Sequence, residues 1–313
     1  MPNAVTRVLS HLPVATLAPI AERFPDIEFI QVPTQGEIPE SLRGEVLLAF
    51  TWGSPNIREL VEHGVEWIHT VGTGVDGFPM DAVGDRVLSC ARGASAIPMS
   101  EWTLAAMLNF EKQLPQRWAK RPPEQWNFAK LGGLYGRTVG LLGLGAVAEA
   151  IATRAIAFGM QVRAIRRTSK PSSIPEVEIA PNLDDLLASA DHLVVALAST
   201  PATRHIIGRD ALMKVKPGLH LVNIARGALI DQDALREALD DGRIARASLD
   251  VAEPEPLPAG HWLYQHPQVF LTPHLSWSMP GSLDWILATF EDNLRRYLAG
   301  EALTGVVDRG AGY

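Results

Sequence analysis

Three short stretches of this 313-residue chain carry the side chains best suited to chemistry. They are Asn223-Ile224-Ala225-Arg226-Gly227, Leu249-Asp250-Val251-Ala252-Glu253-Pro254-Glu255-Pro256 and Thr272-Pro273-His274-Leu275-Ser276-Trp277. Together they offer a cation in Arg226, carboxylates in Asp250, Glu253 and Glu255, and an imidazole in His274. An imidazole titrates near neutral pH and so suits proton transfer. A guanidinium binds a carboxylate or phosphate through paired, charge-assisted hydrogen bonds. Each stretch follows an apolar run that reads as a strand: Leu219–Ile224, Ala247–Val251 and Val269–Leu271. Ligands of open parallel sheets bind beyond the carboxyl ends of the strands, so all three stretches are expected at one sheet edge.

The same edge should hold a glycine turn. Val139 to Leu142 reads as a buried strand, Gly143-Leu144-Gly145 follows, and an alanine-rich helix runs to about Phe158. Strand, glycine turn and helix in that order form the context in which such glycines bind a dinucleotide. Gly143 permits the tight turn, Gly145 lets the backbone approach a pyrophosphate, and the small Ala148 allows helix and strand to pack closely. The helix start, with Leu144, Ala146 and Val147, offers N–H groups and a partial positive charge to phosphates. An acidic residue about 20 positions further on takes the ribose hydroxyl in NAD-binding folds. Here the next strand, Gln161–Ile165, runs into Arg166-Arg167-Thr168-Ser169-Lys170, with no carboxylate. Cations and hydroxyls at that place favour a 2′-phosphate. NADP(H) is therefore the expected cofactor, with NAD(H) still possible.

The elements that must position these residues repeat a simple pattern. Val5–Leu9, Glu28–Val32, Val46–Phe50, Trp67–Val71 and Val87–Cys90 read as strands. Ala15–Phe24, Pro39–Leu42, Asn56–Glu62 and Pro79–Ala82 are helix-compatible. Such alternation argues for a parallel sheet with helices on its faces. Its ligand loops would be Thr51-Trp52-Gly53-Ser54 and Gly72-Thr73-Gly74-Val75-Asp76, the second able to present several N–H groups to an anion. Pro98 opens a helix that crosses into a second βα series: Leu183–Ser189, His192–Leu197, Arg209–Met213 and Asp233–Leu239 precede Ala247–Val251. Ser282–Leu298 reads as a long final helix. The expected architecture is α/β, with two doubly wound parallel-sheet domains. A Rossmann cofactor domain at 100–285 is inserted in a flavodoxin-like substrate domain made of 1–99 and 286–313. Residues 115–135 carry Trp118, Trp126 and Tyr135 on an irregular stretch, which points to a partner subunit and a homodimer.

Composition bounds the partners. A hydrophobic content of 47% with 20% charged residues is that of a globular protein, and a net charge of −7 argues against nucleic acid or anionic membrane. No apolar run reaches the roughly 20 residues of a membrane span. No basic region followed by a hydrophobic stretch opens the chain, so the cytoplasm is the expected location. The one cysteine, Cys90, ends an apolar run and reads as core. His261 and His266 lie in a Pro-rich loop without ligand-like pairing, and no metal is expected.

Taken in order, these motifs resemble the D-isomer-specific 2-hydroxyacid dehydrogenases, the group that includes glyoxylate/hydroxypyruvate reductases and phosphoglycerate dehydrogenase. The resemblance rests on Gly72–Asp76, Ser100-Glu101, Gly143-Leu144-Gly145, Ser199–Arg204, Ala225-Arg226-Gly227, Asp250 with Glu255-Pro256, and Pro273-His274. It implies a catalytic triad of Arg226, Glu255 and His274, with Glu255 favoured over Glu253. It implies reduction of a 2-oxo acid, with His274 as proton donor, Glu255 orienting it and Arg226 gripping the substrate carboxylate. By the same resemblance Asp250 would bond the nicotinamide carboxamide. Ala198, Ser199, Thr203, Ile224 and Ala225 would line the cofactor, with Arg226, Asp250 and His274 beside it. Backbone N–H groups of Gly74 and Val75, next to Thr73, would hold the carboxylate. Trp52, Gly53, Trp277 and Met279 would shape the substrate pocket.

Two departures stand out: Arg166 where NAD-dependent relatives carry Asp, and Ala198 where many relatives carry Pro. Arg166 and the chain's end at Tyr313 count against NAD-dependent phosphoglycerate oxidation. Formate dehydrogenases carry Gln at the position of Glu255. A nucleotide-sensing binding protein of the same fold, like the corepressors that retain the triad, stays open as the reading from another class.

Overall fold

The computed structural model describes residues 6–51, 54–114, 116–127, 129–168 and 171–313. The chain forms two compact units, Met1–Ser95 with Pro280–Tyr313, and Ala96–Met279. The first stretch contains β1 (Arg7–Ser10), α1 (Val14–Ala21), β2 (Glu28–Gln31), β3 (Val46–Ala49), α2 (Ile57–Leu60), β4 (Trp67–Thr70), α3 (Met80–Val83) and β5 (Val87–Cys90). The second unit opens with α4 (Ala96–Lys112), β6 (Thr138–Leu142), α5 (Ala146–Ala157), β7 (Gln161–Ile165) and β8 (Val177–Ile179). It continues with α6 (Leu183–Ser189), β9 (His192–Val195), α7 (Arg209–Leu212), β10 (Leu219–Asn223), α8 (Gln232–Asp240), β11 (Ile244–Leu249) and β12 (Val269–Leu271). Helix α9 (Ser282–Ala299) returns to the first unit.

Both sheets are parallel. The first has the order β2-β1-β3-β4-β5, the flavodoxin-like winding. The second runs β12-β11-β10-β9-β6-β7-β8. Counted from β6, this is the Rossmann order with a seventh strand beyond the sixth. The strand sequences explain the burial. β3, β4, β6, β9 and β10 are buried at every position, as strands covered on both faces must be. Residues of alternate parity feed opposite cores: Leu193, Val195, Leu221 and Leu249 lie with α6 and α8, and Val194 and Val222 with α4 and α5.

In the first unit α9 lays Leu287, Phe290, Leu294 and Tyr297 on the β1–β3–β4 face. Trp67 stacks on Phe290 with centroids 5.6 Å apart, and its indole N–H donates to Ser89 at 2.8 Å. His69 shares that hydroxyl at 2.8 Å.

Most expected elements form, within a residue or two of their ends. Residues 39–42 instead make a turn closed by Leu42 N–H to Pro39 at 2.9 Å, too short to pay the nucleation cost of a helix. β8 escapes sequence reading because only Val177 of its three residues is buried. α4 starts at Ala96 and takes Pro98 within its first turn, where the missing N–H leaves no bond unmade. β11 begins at Ile244, earlier than its apolar run, because Ile244 and Arg246 pair with Leu219 and His220 of β10; Arg246 also lies over the Phe270 ring at 4.0 Å. Among the described residues no helix is long and apolar enough to cross a membrane.

Phe290 is fully buried. Phe290→Ala should cost about 3–5 kcal/mol, as deletion of a buried aromatic ring usually does, read as a lower denaturant midpoint with unchanged slope.

Candidate active site

The three chemically equipped stretches leave the carboxyl ends of β10, β11 and β12, which are neighbours in the second sheet. Asn223 closes β10 and shapes the first turn. Its amide donates to the Arg226 carbonyl at 2.8 Å and accepts from the Ala225 N–H at 3.0 Å. Arg226 then precedes a short 3-10 turn at Gly227–Leu229, with one guanidinium nitrogen on the Ala225 carbonyl at 2.7 Å. Gly227 lies against the next loop. A Cβ there would stand 2.0 Å from the Ala252 carbonyl carbon and 2.5 Å from the Glu253 nitrogen. Only glycine lets the Arg226 turn and the Glu255 loop approach this closely.

Asp250 follows β11 and is 1% exposed. One carboxylate oxygen accepts from the Thr272 hydroxyl at 2.5 Å and the Leu275 N–H at 2.9 Å. The other accepts from the Ser276 N–H at 2.9 Å. The Asp250 carbonyl takes the His274 N–H at 2.8 Å. The carboxylate thus suspends the whole 272–276 loop. His274 sits there at φ +52°, the left-handed region that costs a non-glycine residue energy and must be imposed by its surroundings.

His274 Nδ1 meets Glu255 Oε2 at 2.8 Å, and Glu255 Oε1 accepts the Ala252 N–H at 2.9 Å. The hydrogen bond to Glu255 raises the His274 pKa above 6.5; burial and the Arg226 charge oppose it, and the carboxylate charges of Glu255 and Asp250 add to it. Burial pushes the Glu255 carboxyl up, but the bonds from His274 and Ala252 and the charges of His274 and Arg226 outweigh it, so its pKa lies below the usual 4.5. Both side chains are about two-fifths exposed, which leaves the pair open to an incoming ligand. Glu253 faces elsewhere: both its oxygens are held by Arg204, at 2.9 and 3.1 Å. The structure pairs Glu255, and not Glu253, with the imidazole.

The glycine turn stands further along the same sheet edge. Gly143 has φ +103°, and a Cβ would come 2.7 Å from the Ala196 carbonyl oxygen. A Cβ on Gly145 would meet nothing within 4 Å, and no side chain caps α5, whose first residues are Ala146, Val147 and the buried Ala148. The first N–H groups of a helix have no intrahelical acceptor, and an uncapped start of this kind fits a pyrophosphate. Gly143 N–H donates to the Ile165 carbonyl at 3.0 Å, so Arg166 stands beside the turn; it donates to the Pro171 carbonyl at 3.3 Å. Arg167 and Thr168 are exposed. The next loop holds Ala198, Ser199 and Thr203, half-buried; the Thr203 hydroxyl donates to the Ala198 carbonyl at 2.9 Å. Ile224 is buried, so only its backbone could face a ligand.

In the first unit the Thr73 hydroxyl donates to Ala91 at 3.1 Å, and Val75 buries its side chain in the core, so Gly74 and Val75 can offer only backbone groups outward. Trp52 and Gly53 lie outside the described residues. Trp277 is 42% exposed, its indole N–H on the His274 carbonyl at 3.1 Å.

Cys90 is core, its thiol pKa pushed up by burial. His261 caps the 3-10 turn at 262–264. His266 pairs with Asp240 at 3.3 Å. Among the described residues no group of three His, Cys, Asp or Glu side chains is arranged to hold a metal ion. A cleft of about 460 Å³, lined by Glu111, Arg137, Asp191, Lys216 and Arg246 among others, lies at the amino ends of the strands. It is far from this chemistry, and Asp191 there accepts from Thr138 N–H, Arg137 and Lys216, as a structural hub.

Comparison with known proteins gives the family. Residues 104–276 match the family model for the D-isomer specific 2-hydroxyacid dehydrogenase, NAD binding domain, and the chain belongs to that family. It is 32% identical over 298 residues to a D-3-phosphoglycerate dehydrogenase of Methanocaldococcus jannaschii, covering 92% of this chain and 56% of the relative, so it spans little more than half that protein's length. It is 30% identical over 275 residues to glyoxylate/hydroxypyruvate reductase A of Photorhabdus laumondii, covering 85% and 87%. Its fold matches the NADPH-dependent glyoxylate/hydroxypyruvate reductase of Sinorhizobium meliloti, solved with NADP and sulfate, with a TM-score of 0.83 and 26% identity over 98% of this chain and 100% of that one.

The raised His274 pKa means its share of the pairing stability is full below about 6.5 and lost as pH rises through the folded value; the Glu255 share is present above about 4.5 and lost as pH falls through its lowered value. Glu255→Gln should return the His274 titration, followed by its ring protons in NMR, to 6.5 or below. An unmoved titration would show that the 2.8 Å contact does not set it.

Proposed function

We propose that this chain is an NADPH-dependent reductase that converts a small 2-oxo acid of the glyoxylate or hydroxypyruvate kind to the D-2-hydroxy acid. The observation that carries the reading is the 2.8 Å Glu255–His274 pair on the strand ends that also present Arg226. A reduced nicotinamide bound along the glycine turn would supply hydride to the substrate carbonyl carbon. The chain's own groups supply the rest. Because His274 Nδ1 faces Glu255, the proton available to the carbonyl oxygen is on Nε2, and the carboxylate keeps the ring protonated to a higher pH. Arg226 would bind the substrate carboxylate and polarise the adjacent carbonyl. Gly74 and Val75 would offer it backbone N–H groups, and Trp277, with Trp52 and Met279, would set the size of the acid accepted.

Arg166 and Arg167, with Thr168, support NADP(H) over NAD(H), since a fork of N–H donors suits a 2′-phosphate where a carboxylate would repel it. The S. meliloti relative, solved with NADP, is consistent with that choice. The exposure of Trp118 (67%), Trp126 (75%) and Tyr135 (87%) supports a homodimer that covers them with a second copy. A cytoplasmic location is proposed with it, on the single unpaired cysteine.

Two measurements test the reading. Purified protein offered a panel of 2-oxo acids with each cofactor should oxidise NADPH with glyoxylate or hydroxypyruvate and bind NADPH more tightly than NADH. Equal or tighter NADH binding would overturn the cofactor choice, oxidation of 3-phosphoglycerate alone would favour the dehydrogenase branch, and no turnover with any acid would favour a nucleotide sensor. His274→Ala should lose about 10²–10⁴-fold in turnover, the usual scale for a general acid, while still binding NADPH. Undiminished turnover would remove His274 from the reaction.

A further inference from the structure

We infer that Arg204 and Glu253 form a positioning clamp that holds the 252–256 loop so that the Glu255 carboxylate stays in hydrogen-bond register with His274. The inference rests on the proton-donor reading of that pair. Residues 252–256 form no helix or strand, so something other than a ladder must fix where Glu255 points. Its two acidic side chains diverge. Glu255 turns toward the loop after β12, and Glu253 toward the loop after β9.

At Glu253 three loops meet. Arg204 Nη1 and Nη2 donate to separate carboxylate oxygens at 2.9 and 3.1 Å, a bidentate fork. The Gln232 amide spans the Glu253 backbone, donating to its carbonyl at 2.5 Å and accepting from its N–H at 3.3 Å. Gly227 lies flat against the Ala252–Glu253 peptide. Arg204 is itself fixed at its base. Its N–H donates to the Thr200 carbonyl at 3.1 Å, and the turn before it is closed by Thr200 N–H to the Thr203 hydroxyl at 2.8 Å. The clamp therefore joins a rigid turn to the loop that carries Glu255.

Stability does not account for the pair. The two side chains are 52% and 39% exposed, and ion pairs at that exposure contribute little to global folding. What a bidentate pair adds is direction, because both donors must be met at once. Glu255 hangs two residues away; the Gln232 bonds and the Gly227 contact hold the Glu253 backbone, and the Arg204 fork adds the hold on its side chain.

The groups facing this region give the test its sign. Glu255, Arg226 and Asp250 act on His274; Arg204 pairs with Glu253, whose Oε2 also lies 4.0 Å from His205 Nε2. Through-space electrostatics alone predicts opposite effects: losing the Arg204 cation raises the His274 pKa, and losing the Glu253 anion lowers it. The clamp predicts that both losses lower it, because either one frees Glu255. Arg204→Met, Glu253→Gln and their double variant should each lower the His274 titration, read by NMR, by about half a unit, a roughly threefold change in the protonation equilibrium. The double variant should show no more than either single one. Arg204→Lys, which keeps charge and loses the fork, should behave like Arg204→Met. Melting midpoints should move little. Opposite shifts in the two single variants, or none with Arg204→Lys, would overturn the clamp. The titration needs no turnover, so a wild-type protein inactive on every acid would sink the enzymatic reading and leave this result standing. Where turnover is found, the alkaline limb of its pH profile should move down with the same variants.

Discussion

A buried carboxylate holds this site together. Taking Asp250 out of water is costly unless each oxygen finds donors, and here they come from one short segment: Thr272, Leu275 and Ser276. The satisfied carboxylate is therefore also a template that folds the segment. With the His274 N–H drawn onto the Asp250 carbonyl, the backbone of His274 is carried to positive φ and its ring is aimed at Glu255. Remove the Asp250 carboxylate and the imidazole loses the geometry on which its pairing depends, although Asp250 itself never touches the ring's nitrogen in this structure.

Parallel winding explains why residues so far apart in the chain meet. β10, β11 and β12 lie side by side, and in a parallel sheet all their carboxyl ends point one way. Arg226, Glu255 and His274 each follow one of these strands. Two kinds of spacer set the fine distances. Gly227 brings the first two loops into backbone contact, and Asp250 hangs the third from the second. The glycine turn uses the same edge, where Gly143 lies so close to Ala196 that no side chain fits.

Much of this was legible in the residues. The alternation of apolar runs with helical stretches carried both sheets, and the three strand-end stretches carried Arg226, Glu255 and His274 to one edge. Local pattern could not reach further. Arg204 and Glu253 are ordinary charged residues 49 positions apart, and nothing in either neighbourhood marks them as partners. Thr272 hides in the same way, since its hydroxyl matters only once Asp250 lies beneath it. Resemblance favours Glu255 over Glu253, and the side-chain directions agree: Glu255 turns to the imidazole and Glu253 to Arg204. For Asp250, resemblance points to a nicotinamide contact, whereas the geometry displays a loop anchor. A carboxylate has lone pairs for both, but the three donors already present make the anchor the role that the fold itself requires.

The chain's nine histidines show why position, and not residue type, sets the charge of an imidazole. His11, His69 and His220 are buried in apolar surroundings, and burial lowers their pKa, to about 4 and about 3 for the first two and well below 6.5 for the third. Among the described residues none has a carboxylate partner: His11 accepts from the Phe50 N–H at 3.2 Å, His69 meets the Ser89 hydroxyl, and His220 meets Ser248 at 2.9 Å, with the His192 and Arg246 charges lowering its pKa further. These rings hold strands together, and burial disfavours their charged form. His274 differs in two ways at once. It is exposed enough to keep part of its hydration, and its partner is an ionised carboxylate that is itself held by a backbone N–H. Either difference alone is insufficient, because full burial would cancel the carboxylate's effect and exposure without it would leave an ordinary imidazole. The site thus depends on keeping Glu255 charged, directed and close, and the loops around it are built to that end.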